Sequence, residues 1–342
     1  MNKRVTLKDI AKVLNVTPAT VSKALRECDD ISKGMQKTVK ETAGELGYRP
    51  NILARSLINK KSKLLGVVIP DLRISFFTEV TRGIYEEASK LGYEAILMVH
   101  DENPENEKKK LEFLSDINVD GILIASADSN ENLKLLETIS SHGIKIVAWD
   151  RKIEGLDFPV VHGDDRKAAF NLTSEIIKQG RKKIAFIGAT KSIQLANDRI
   201  NGFIDAHKHH GISLNENLIV PCERKFEASF NEMKKTLEKI NDIDAVVCFG
   251  GVVAYGAGSA ILELDKSIPD DIMLGEFGDN SLVTRLGVSY YTVNQNPYRI
   301  GIEAVNLIVK CIESDGECQI EKDQIIETKI LYRNVGARTF DN

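Results

Sequence analysis

Short apolar runs alternate with amphipathic segments throughout residues 63–342. The runs fall into two series, LLGVVIP, YEAILMVH, GILIAS and KIVAWD, followed by PVVHGD, KKIAFIG, AVVCFG and IMLGEF. Helical patterns separate them, at about 78–91, 104–117, 130–142, 165–180, 197–210, 227–240 and 252–265. Continuous apolar strands joined by crossover helices are typical of parallel sheets covered on both faces. The pattern predicts an α/β fold with two doubly wound subdomains.

The chain is expected to pass between these subdomains more than once. One subdomain is expected at about 63–160 with 292–324, and the other at about 161–291 with 325–342. The run YYTVNQ and one late strand, DQIIETKILY, would provide the extra crossings. Ligands of open α/β sheets bind at the carboxyl ends of strands, so the cleft between the subdomains is the expected pocket.

The N-terminal segment differs sharply in charge from the rest of the chain. Residues 1–63 contain fourteen Lys and Arg against six Asp and Glu, a balance of +8. The whole chain carries −4, which leaves −12 on the other 279 residues. This asymmetry is typical of a small polyanion-binding module joined to an acidic body.

Residues 1–50 carry the pattern of three short helices. Thr6 and Asp9 have capping-box spacing before the first helix, and a third helix is expected to begin after Ser32 and to end at ELGY. Thr17 is a good N-cap, so Pro18 is expected at the first position of the second helix, where its missing N–H costs nothing. The pattern predicts an all-α helix-turn-helix headpiece that enters the DNA major groove. The alternative is a three-helix interaction bundle without nucleic acid.

The segment VTLKDIAKVLNVTPATVSKAL, followed by ELGYRPNILARSL, resembles the headpiece and hinge of LacI/GalR family bacterial transcription regulators. The resemblance implies that Pro18, Ala19 and Lys23 approach bases of a pseudo-palindromic operator. It implies that Thr17, Thr20 and Ser22 mainly hold phosphates. Residues 51–62 match the hinge helix, which pairs with its copy in the minor groove of operator DNA. Its implied DNA contacts are Asn51, Ala54, Arg55 and Leu57, and Leu57 would wedge between the central base pairs.

Residues 63–342 resemble the periplasmic-binding-protein-like core of the same family, which closes on a small-molecule effector. The implied contacts are Ser75, Phe76, Phe77, Ala125, Asp150, Arg199, Phe226 and Asp279. A carboxylate and a guanidinium on opposite walls, with aromatic rings between them, suit a polar ring such as a sugar. The alternative is that Asp150 caps a loop and Arg199 pairs with Asp198.

Three glycines depart from the sugar-binding members of the family. Gly250 and Gly251 stand where those members usually have an Asn-Asp pair, and Gly278 replaces the first acidic residue of a late loop. A site without these groups binds hydroxyl-rich ligands poorly, because selectivity for a hydroxyl depends on a paired buried partner. We expect an effector that is not a monosaccharide in the usual pose. A larger ligand, a phosphorylated ligand and no ligand remain as alternatives.

Other features exclude further classes of function. No apolar run approaches the roughly 20 residues that cross a bilayer, and five scattered cysteines form no C-x-x-C pair, so a cytoplasmic protein is expected. His207, His209 and His210 have no partner at metal-binding spacing, and no catalytic motif occurs. We expect no metal, no cofactor and no enzymatic activity.

The expected assembly is a homodimer, because one helix-turn-helix offers too small a contact for high affinity and two-fold dimers commonly read pseudo-palindromic sites. The final residues NVGARTFDN lack the leucine-rich heptad repeat that joins some members of the family into tetramers. The expected function is a sequence-specific, ligand-controlled repressor of a carbohydrate or small-molecule operon. The alternative is a cytosolic small-molecule sensor that acts through a protein partner.

Overall fold

The computed structural model describes residues 5–49, 61–127, 131–188, 194–278, 281–314 and 321–334. The chain divides into two compact units, residues 1–62 and residues 63–342. Each unit is built around its own apolar clusters.

The first unit contains three helices, α1 (Leu7–Leu14), α2 (Pro18–Leu25) and α3 (Lys33–Glu45). Its core consists of side chains from all three helices, namely Ile10, Ala11, Val21, Ala24, Val39 and Ala43. Two short helices joined by a tight turn and braced by a third form the predicted helix-turn-helix.

The helix ends of this unit follow the predicted capping chemistry. Thr17 Oγ1 accepts a hydrogen bond from the Thr20 backbone N–H at 3.1 Å, and Pro18 is the first residue of α2. Ser32 Oγ accepts from the Met35 N–H at 3.4 Å where α3 begins. Gly47 follows α3 with φ +70°, the left-handed conformation that favours glycine. Local sequence signals therefore determine where these helices begin and end.

The second unit contains two six-stranded sheets. The strands of the first sheet are β1 (Leu64–Ile69), β2 (Glu94–Val99), β3 (Gly121–Ile124), β4 (Lys145–Trp149), β5 (Val160–Gly163) and β11 (Asp323–Ile326). Their order in the sheet is β11-β5-β4-β3-β1-β2, and all of the strand pairs are parallel. Its helices are α4 (Ser75–Lys90), α5 (Pro104–Asp116), α6 (Leu133–Ser141) and α12 (Pro297–Glu313). Separate apolar clusters cover the two faces of the sheet.

The strands of the second sheet are β6 (Ile184–Ile187), β7 (Ile219–Val220), β8 (Ala245–Cys248), β9 (Met273–Phe277), β10 (Tyr290–Asn294) and β12 (Lys329–Arg333). Their order in the sheet is β12-β10-β9-β8-β6-β7, and the edge strand β12 is antiparallel to β10. Its helices are α7 (Asp165–Lys178), α8 (Gln194–His209), α9 (Phe226–Lys239), α10 (Gly251–Glu263) and α11 (Ser281–Thr284). Apolar clusters again cover both faces, as predicted for a doubly wound sheet.

Two strand assignments made from the sequence are wrong. The order of the runs predicts that PVVHGD belongs to the second sheet, but β5, which it forms, pairs with β4 and β11 in the first sheet. The apolar pattern predicts one strand over DQIIETKILY, but the structure has two: β11 pairs with β5 in the first sheet, and β12 pairs with β10 in the second. An apolar run predicts a strand without identifying its hydrogen-bonding partner, so these sheet crossings left no signal in the pattern.

Candidate functional site

The outer face of α2 carries the side chains for which the sequence implied DNA contacts. Thr17, Pro18, Ala19 and Lys23 are exposed, and Thr20 and Ser22 are half-buried. Val21 and Ala24 on the opposite face are completely buried. The predicted residues therefore lie on one polar surface of one helix. The predicted hinge contacts Asn51, Ala54, Arg55 and Leu57 lie outside the described residues.

Lys23 has a defined partner on this surface. Its ammonium group donates a hydrogen bond to the Asp30 carboxylate, and this contact raises the pKa of Lys23. Both side chains are about half-exposed, at 46% and 54%. Such a pair is weak in water, so the lysine can exchange Asp30 for another anion at little cost.

A cavity lies between the two sheets of the second unit. Five predicted effector contacts line it, namely Ser75, Phe76, Phe77, Asp150 and Arg199. The three glycines that depart from the family pattern, Gly250, Gly251 and Gly278, line it as well. The structure therefore brings residues from the ends of several strands to one place, as expected for an open α/β fold.

Two predicted effector contacts lie away from the cavity. Ala125 is fully buried beyond β3, and its carbonyl oxygen lies 3.0 Å from His100 Nε2. Phe226 begins α9 and packs against the Phe230 ring, with a centroid distance of 5.9 Å. Neither residue lines the cavity. Asp279 lies outside the described residues.

Arg199 is held in place by two hydrogen bonds and two aromatic rings. Its Nε donates to Asp165 Oδ1 at 2.7 Å, and its Nη1 donates to the carbonyl oxygen of Phe249. The guanidinium lies over the rings of Phe249 and Phe277, at 4.6 Å and 4.0 Å. The partner of Arg199 is thus Asp165, on the neighbouring helix α7, so the alternative of a pair with Asp198 is wrong.

Asp165 is the buried member of this ion pair. Burial raises the pKa of its carboxyl group, while the charge and hydrogen bond of Arg199 act in the opposite direction. Only 4% of Arg199 and 7% of Asp165 are exposed. A buried ion pair needs both partners, because a single buried charge is strongly destabilising.

The opposite wall of the cavity carries a second charged group. Asp150 follows β4 with φ +68°, and its Oδ2 accepts from Arg151 Nε at 3.3 Å. Arg151 also donates to both oxygens of Glu102, at 3.2 Å and 3.4 Å. Asp150 lines the cavity, and among the described residues its side chain accepts only this one hydrogen bond, so it keeps acceptor capacity for a ligand.

Glu102 also connects the two walls. It follows β2 in the first sheet, and Arg224, which follows β7 in the second sheet, donates to its Oε1 at 3.4 Å. Burial alone would raise the pKa of Glu102, but the charges of Arg151 and Arg224 outweigh it and hold the pKa below its usual value. The result is an ion pair that spans the cleft.

Several residues that line the cavity are not among the effector contacts predicted from the sequence, including Arg151, Leu195, Arg224, Phe249 and Gln295. Phe249 follows β8 and Gln295 follows β10, so the rule that ligands bind at carboxyl ends of strands could have found both. Gln295 is 5% exposed, and its amide has no hydrogen-bond partner within the described ranges.

The helix-turn-helix presents a surface for DNA, and the cleft between the two sheets offers a site for a small ligand. Together these two sites define a class of protein, the ligand-responsive transcription regulators. In the described part of the chain, no helix is long and apolar enough to cross a membrane.

Comparison with known proteins agrees with the class of ligand-responsive transcription regulators. The family model described as bacterial regulatory proteins, lacI family, matches residues 6–51. The model described as periplasmic binding proteins and sugar binding domain of LacI family matches residues 62–336. The chain belongs to the LacI family.

Individual relatives match over nearly the whole chain. The ribose operon repressor of Halalkalibacterium halodurans is 32% identical over 308 residues, which cover 90% of both proteins. The transcriptional regulator RegA of Clostridium saccharobutylicum is 30% identical and covers 94% of this chain and 97% of the relative. The crystal structure of the lac repressor dimer bound to operator and an anti-inducer has the same fold, with a TM-score of 0.84 at 19% identity, over 96% of this chain and 98% of that one. These relatives are regulators of transcription.

Proposed function

We propose that this protein is a cytoplasmic, dimeric repressor whose affinity for operator DNA is set by a small molecule in the cleft. The observation that carries the proposal is the outer face of α2, where Thr17, Pro18, Ala19 and Lys23 are exposed on a segment of charge +8. An exposed polar helix face on a basic unit suits the major groove, where side chains meet base edges and phosphates.

The second half of the proposal concerns the cleft. Ser75, Phe76, Phe77, Asp150 and Arg199 would contact the effector, with Asp279 as a further contact. The chain crosses between the sheets after β5, after β10 and between β11 and β12, so these crossings can act as a hinge. A ligand that contacts both walls favours one angle between the sheets. That angle would determine whether residues 51–62 of two protomers can pair on DNA.

This function requires binding equilibria and no bond chemistry, so we propose that the protein is not an enzyme. A dimer is proposed because one helix-turn-helix makes too small a contact for high affinity. The dimer in the lac repressor structure supports this assembly.

Salt dependence tests the DNA-binding function directly. Each phosphate contact releases counterions from DNA, so affinity falls steeply as salt rises. We expect the affinity of the full chain for DNA upstream of its own gene to fall by about a thousandfold between 50 and 200 mM salt, as measured by fluorescence anisotropy. Binding that is undetectable, or insensitive to salt, would contradict the proposal.

Leu57 tests the proposed wedge in the minor groove. Leu57→Ala should weaken operator binding by about tenfold or more, because the apolar wedge that bends the duplex is lost. The fold and the dimer should be unchanged, as checked by thermal unfolding and sedimentation. Leu72→Ala, at an exposed leucine of the second unit, is the matched control and should bind DNA normally. Equal affinities of the two variants would exclude the wedge.

A further inference from the structure

Helix α10 begins at the cavity without a capping side chain. Its N-cap residue is Gly250, and the first turn, Gly251 to Val253, lines the cavity. The first N–H groups of a helix have no acceptor within the helix, and this end carries a partial positive charge. Within the described ranges, no side chain accepts a hydrogen bond at the cap position.

The fold does not require glycine at this N-cap. Gly250 has φ −174° and ψ 175°, an extended conformation that any residue adopts. A Cβ atom there would meet only the Phe277 carbonyl oxygen, at 3.8 Å, which is ordinary contact. Gly278 is different, because its φ of +109° favours glycine whatever the surrounding space. The cap at Gly250 is therefore open space that a ligand atom can fill.

Two guanidinium groups flank this opening. Arg199 and Arg224 lie on the ring of Phe249, the residue before Gly250, at 4.6 Å and 5.7 Å. Arg224 makes one long hydrogen bond, to Glu102 at 3.4 Å, and its remaining N–H groups meet no acceptor in the described part of the chain. Glu102 keeps two contacts with Arg151, so Arg224 can turn to another anion without leaving a bare carboxylate.

Gln295 supplies an independent indication that the cavity holds a polar ligand. Only 5% of this residue is exposed and it lines the cavity, yet none of the described residues forms a hydrogen bond with its amide. Buried polar groups in proteins almost always have a partner. The amide of Gln295 and the carboxylate of Asp150, on the facing wall, can both bind hydroxyl groups.

We propose that the effector is a phosphorylated polyol, whose phosphate caps α10 at Gly250 beside Arg224 and whose hydroxyls contact Gln295 and Asp150. Phosphate oxygens are well matched to free helix N–H groups and to a guanidinium fork. The inference rests on the proposed function, because it names the ligand class of the same cleft.

The test compares sugars with their phosphates on the full-length protein. The probes are fructose and fructose 1-phosphate, glucose and glucose 6-phosphate, ribose and ribose 5-phosphate, and inorganic phosphate alone. Binding is followed by the melting temperature and by the fluorescence of Trp149, the single tryptophan, whose ring lies 5.8 Å from that of the cavity residue Phe77. We expect at least one sugar phosphate to bind at least about tenfold more tightly than its parent sugar.

Two variants at Gly250 distinguish the effect of a charge at the N-cap from the effect of filling the space there. Gly250→Asn fills the open position with a neutral cap, and Gly250→Asp fills it with a carboxylate that also repels phosphate. Affinity for the sugar phosphate should be highest in the parent protein, lower in Gly250→Asn and lowest in Gly250→Asp. Without ligand, the melting temperature of each variant should equal or exceed that of the parent. Arg224→Gln should weaken binding about tenfold or more. Lys225→Gln removes one charge from the same loop, outside the cavity lining, and should bind normally.

Two results would overturn the inference. One is a panel in which no phosphate group improves binding. The other is binding of a sugar phosphate that Gly250→Asp leaves unchanged. Operator binding, measured in the same samples without ligand, separates the two proposals. Normal DNA binding without a phosphate preference refutes only the ligand class, whereas loss of both refutes the proposed function.

Discussion

Arg199 shows how one residue can belong to both the core and the ligand cavity. Its guanidinium is paired with Asp165 and covered by two aromatic rings, and it still lines the cleft. The same contacts fix the carbonyl oxygen of Phe249 next to the start of α10. Arg199 therefore holds the cavity wall formed by the second sheet in position and also places a positive charge on that wall.

Replacement of Arg199 should reveal the cost of an unpaired buried carboxylate. Arg199→Gln leaves Asp165 buried without its counter-charge, so we expect the free energy of unfolding at pH 7 to fall by about 3 kcal/mol. Burial raises the pKa of Asp165, and loss of Arg199 would raise it further. Protonated Asp165 needs no counter-charge, so the deficit should grow as pH rises through the raised pKa. Urea unfolding at pH 4 and pH 7 measures this difference.

The neighbouring pair of Arg166 and Asp205 provides the control. It also joins α7 and α8, with Arg166 Nε donating to Asp205 at 2.8 Å, but its side chains are 57% and 35% exposed. Arg166→Gln should cost no more than about 1 kcal/mol and should show little dependence on pH. A similar loss in both variants would mean that burial of the Arg199 pair is unimportant.

Helix α2 illustrates how local chemistry positions a functional element. Pro18 stands at its first position, Thr17 caps it, and Val21 and Ala24 fix its buried face. The remaining positions are thereby turned outward together, which presents Ala19 and Lys23 to a partner. The proline marks the start of the helix and does not interrupt it.

Loss of the cap should loosen this helix in a measurable way. Thr17→Ala removes the acceptor for the Thr20 N–H, so we expect the stability of α2 to fall by about 1 kcal/mol. Amide hydrogen exchange of residues 19–22 in the full chain reports this change. Thr17→Ser keeps the hydroxyl and should protect the same amides as the parent does. Equal exchange in the alanine and serine variants would show that the cap is not needed.

At the scale of the whole molecule, Glu102 joins the two sheets of the second unit across the cleft. Its contacts with Arg151 and Arg224 lie on opposite walls, so their strength contributes to the preferred angle between the sheets. A phosphate that attracts Arg224 would compete with this contact. The ligand and the cross-cleft pair would then be coupled through one guanidinium.

The cross-cleft pair should depend on acid. The pKa of Glu102 lies below its usual value, so the ionised carboxylate adds to the free energy of unfolding at neutral pH. This stabilisation is lost as pH falls from about 4.5 through the lowered pKa. Glu102→Gln should cost about 1 kcal/mol at pH 7, and the difference from the parent should shrink towards pH 3. Urea unfolding monitored at Trp149 measures both values. Glu263→Gln is the control, because the partner of Glu263, Lys234, lies in the same subdomain. This variant should not alter the closure of the cleft, as measured by small-angle X-ray scattering.

Much of the molecule was predictable because its signals are local. The caps at Thr6, Thr17 and Ser32, the charge of residues 1–63 and the apolar strand runs are properties of short segments. They predicted the helix-turn-helix, the two covered sheets and a cleft between them. The family resemblance, and not these local signals, pointed to Ser75, Phe76, Phe77, Asp150 and Arg199, and all five line that cleft.

Only the tertiary structure decided the features that depend on distant partners. Hydrogen bonding between strands, which the apolar pattern does not encode, put β5 in the first sheet and divided the late run into β11 and β12. Packing of α7 against α8 paired Arg199 with Asp165, 34 positions away. The meeting of Arg224, Gln295 and the open cap at Gly250 is likewise set by the fold, because residues from three separate strand ends become neighbours only when the sheet forms. The sequence alone determined the kind of protein, and the fold determined the chemistry of its cleft.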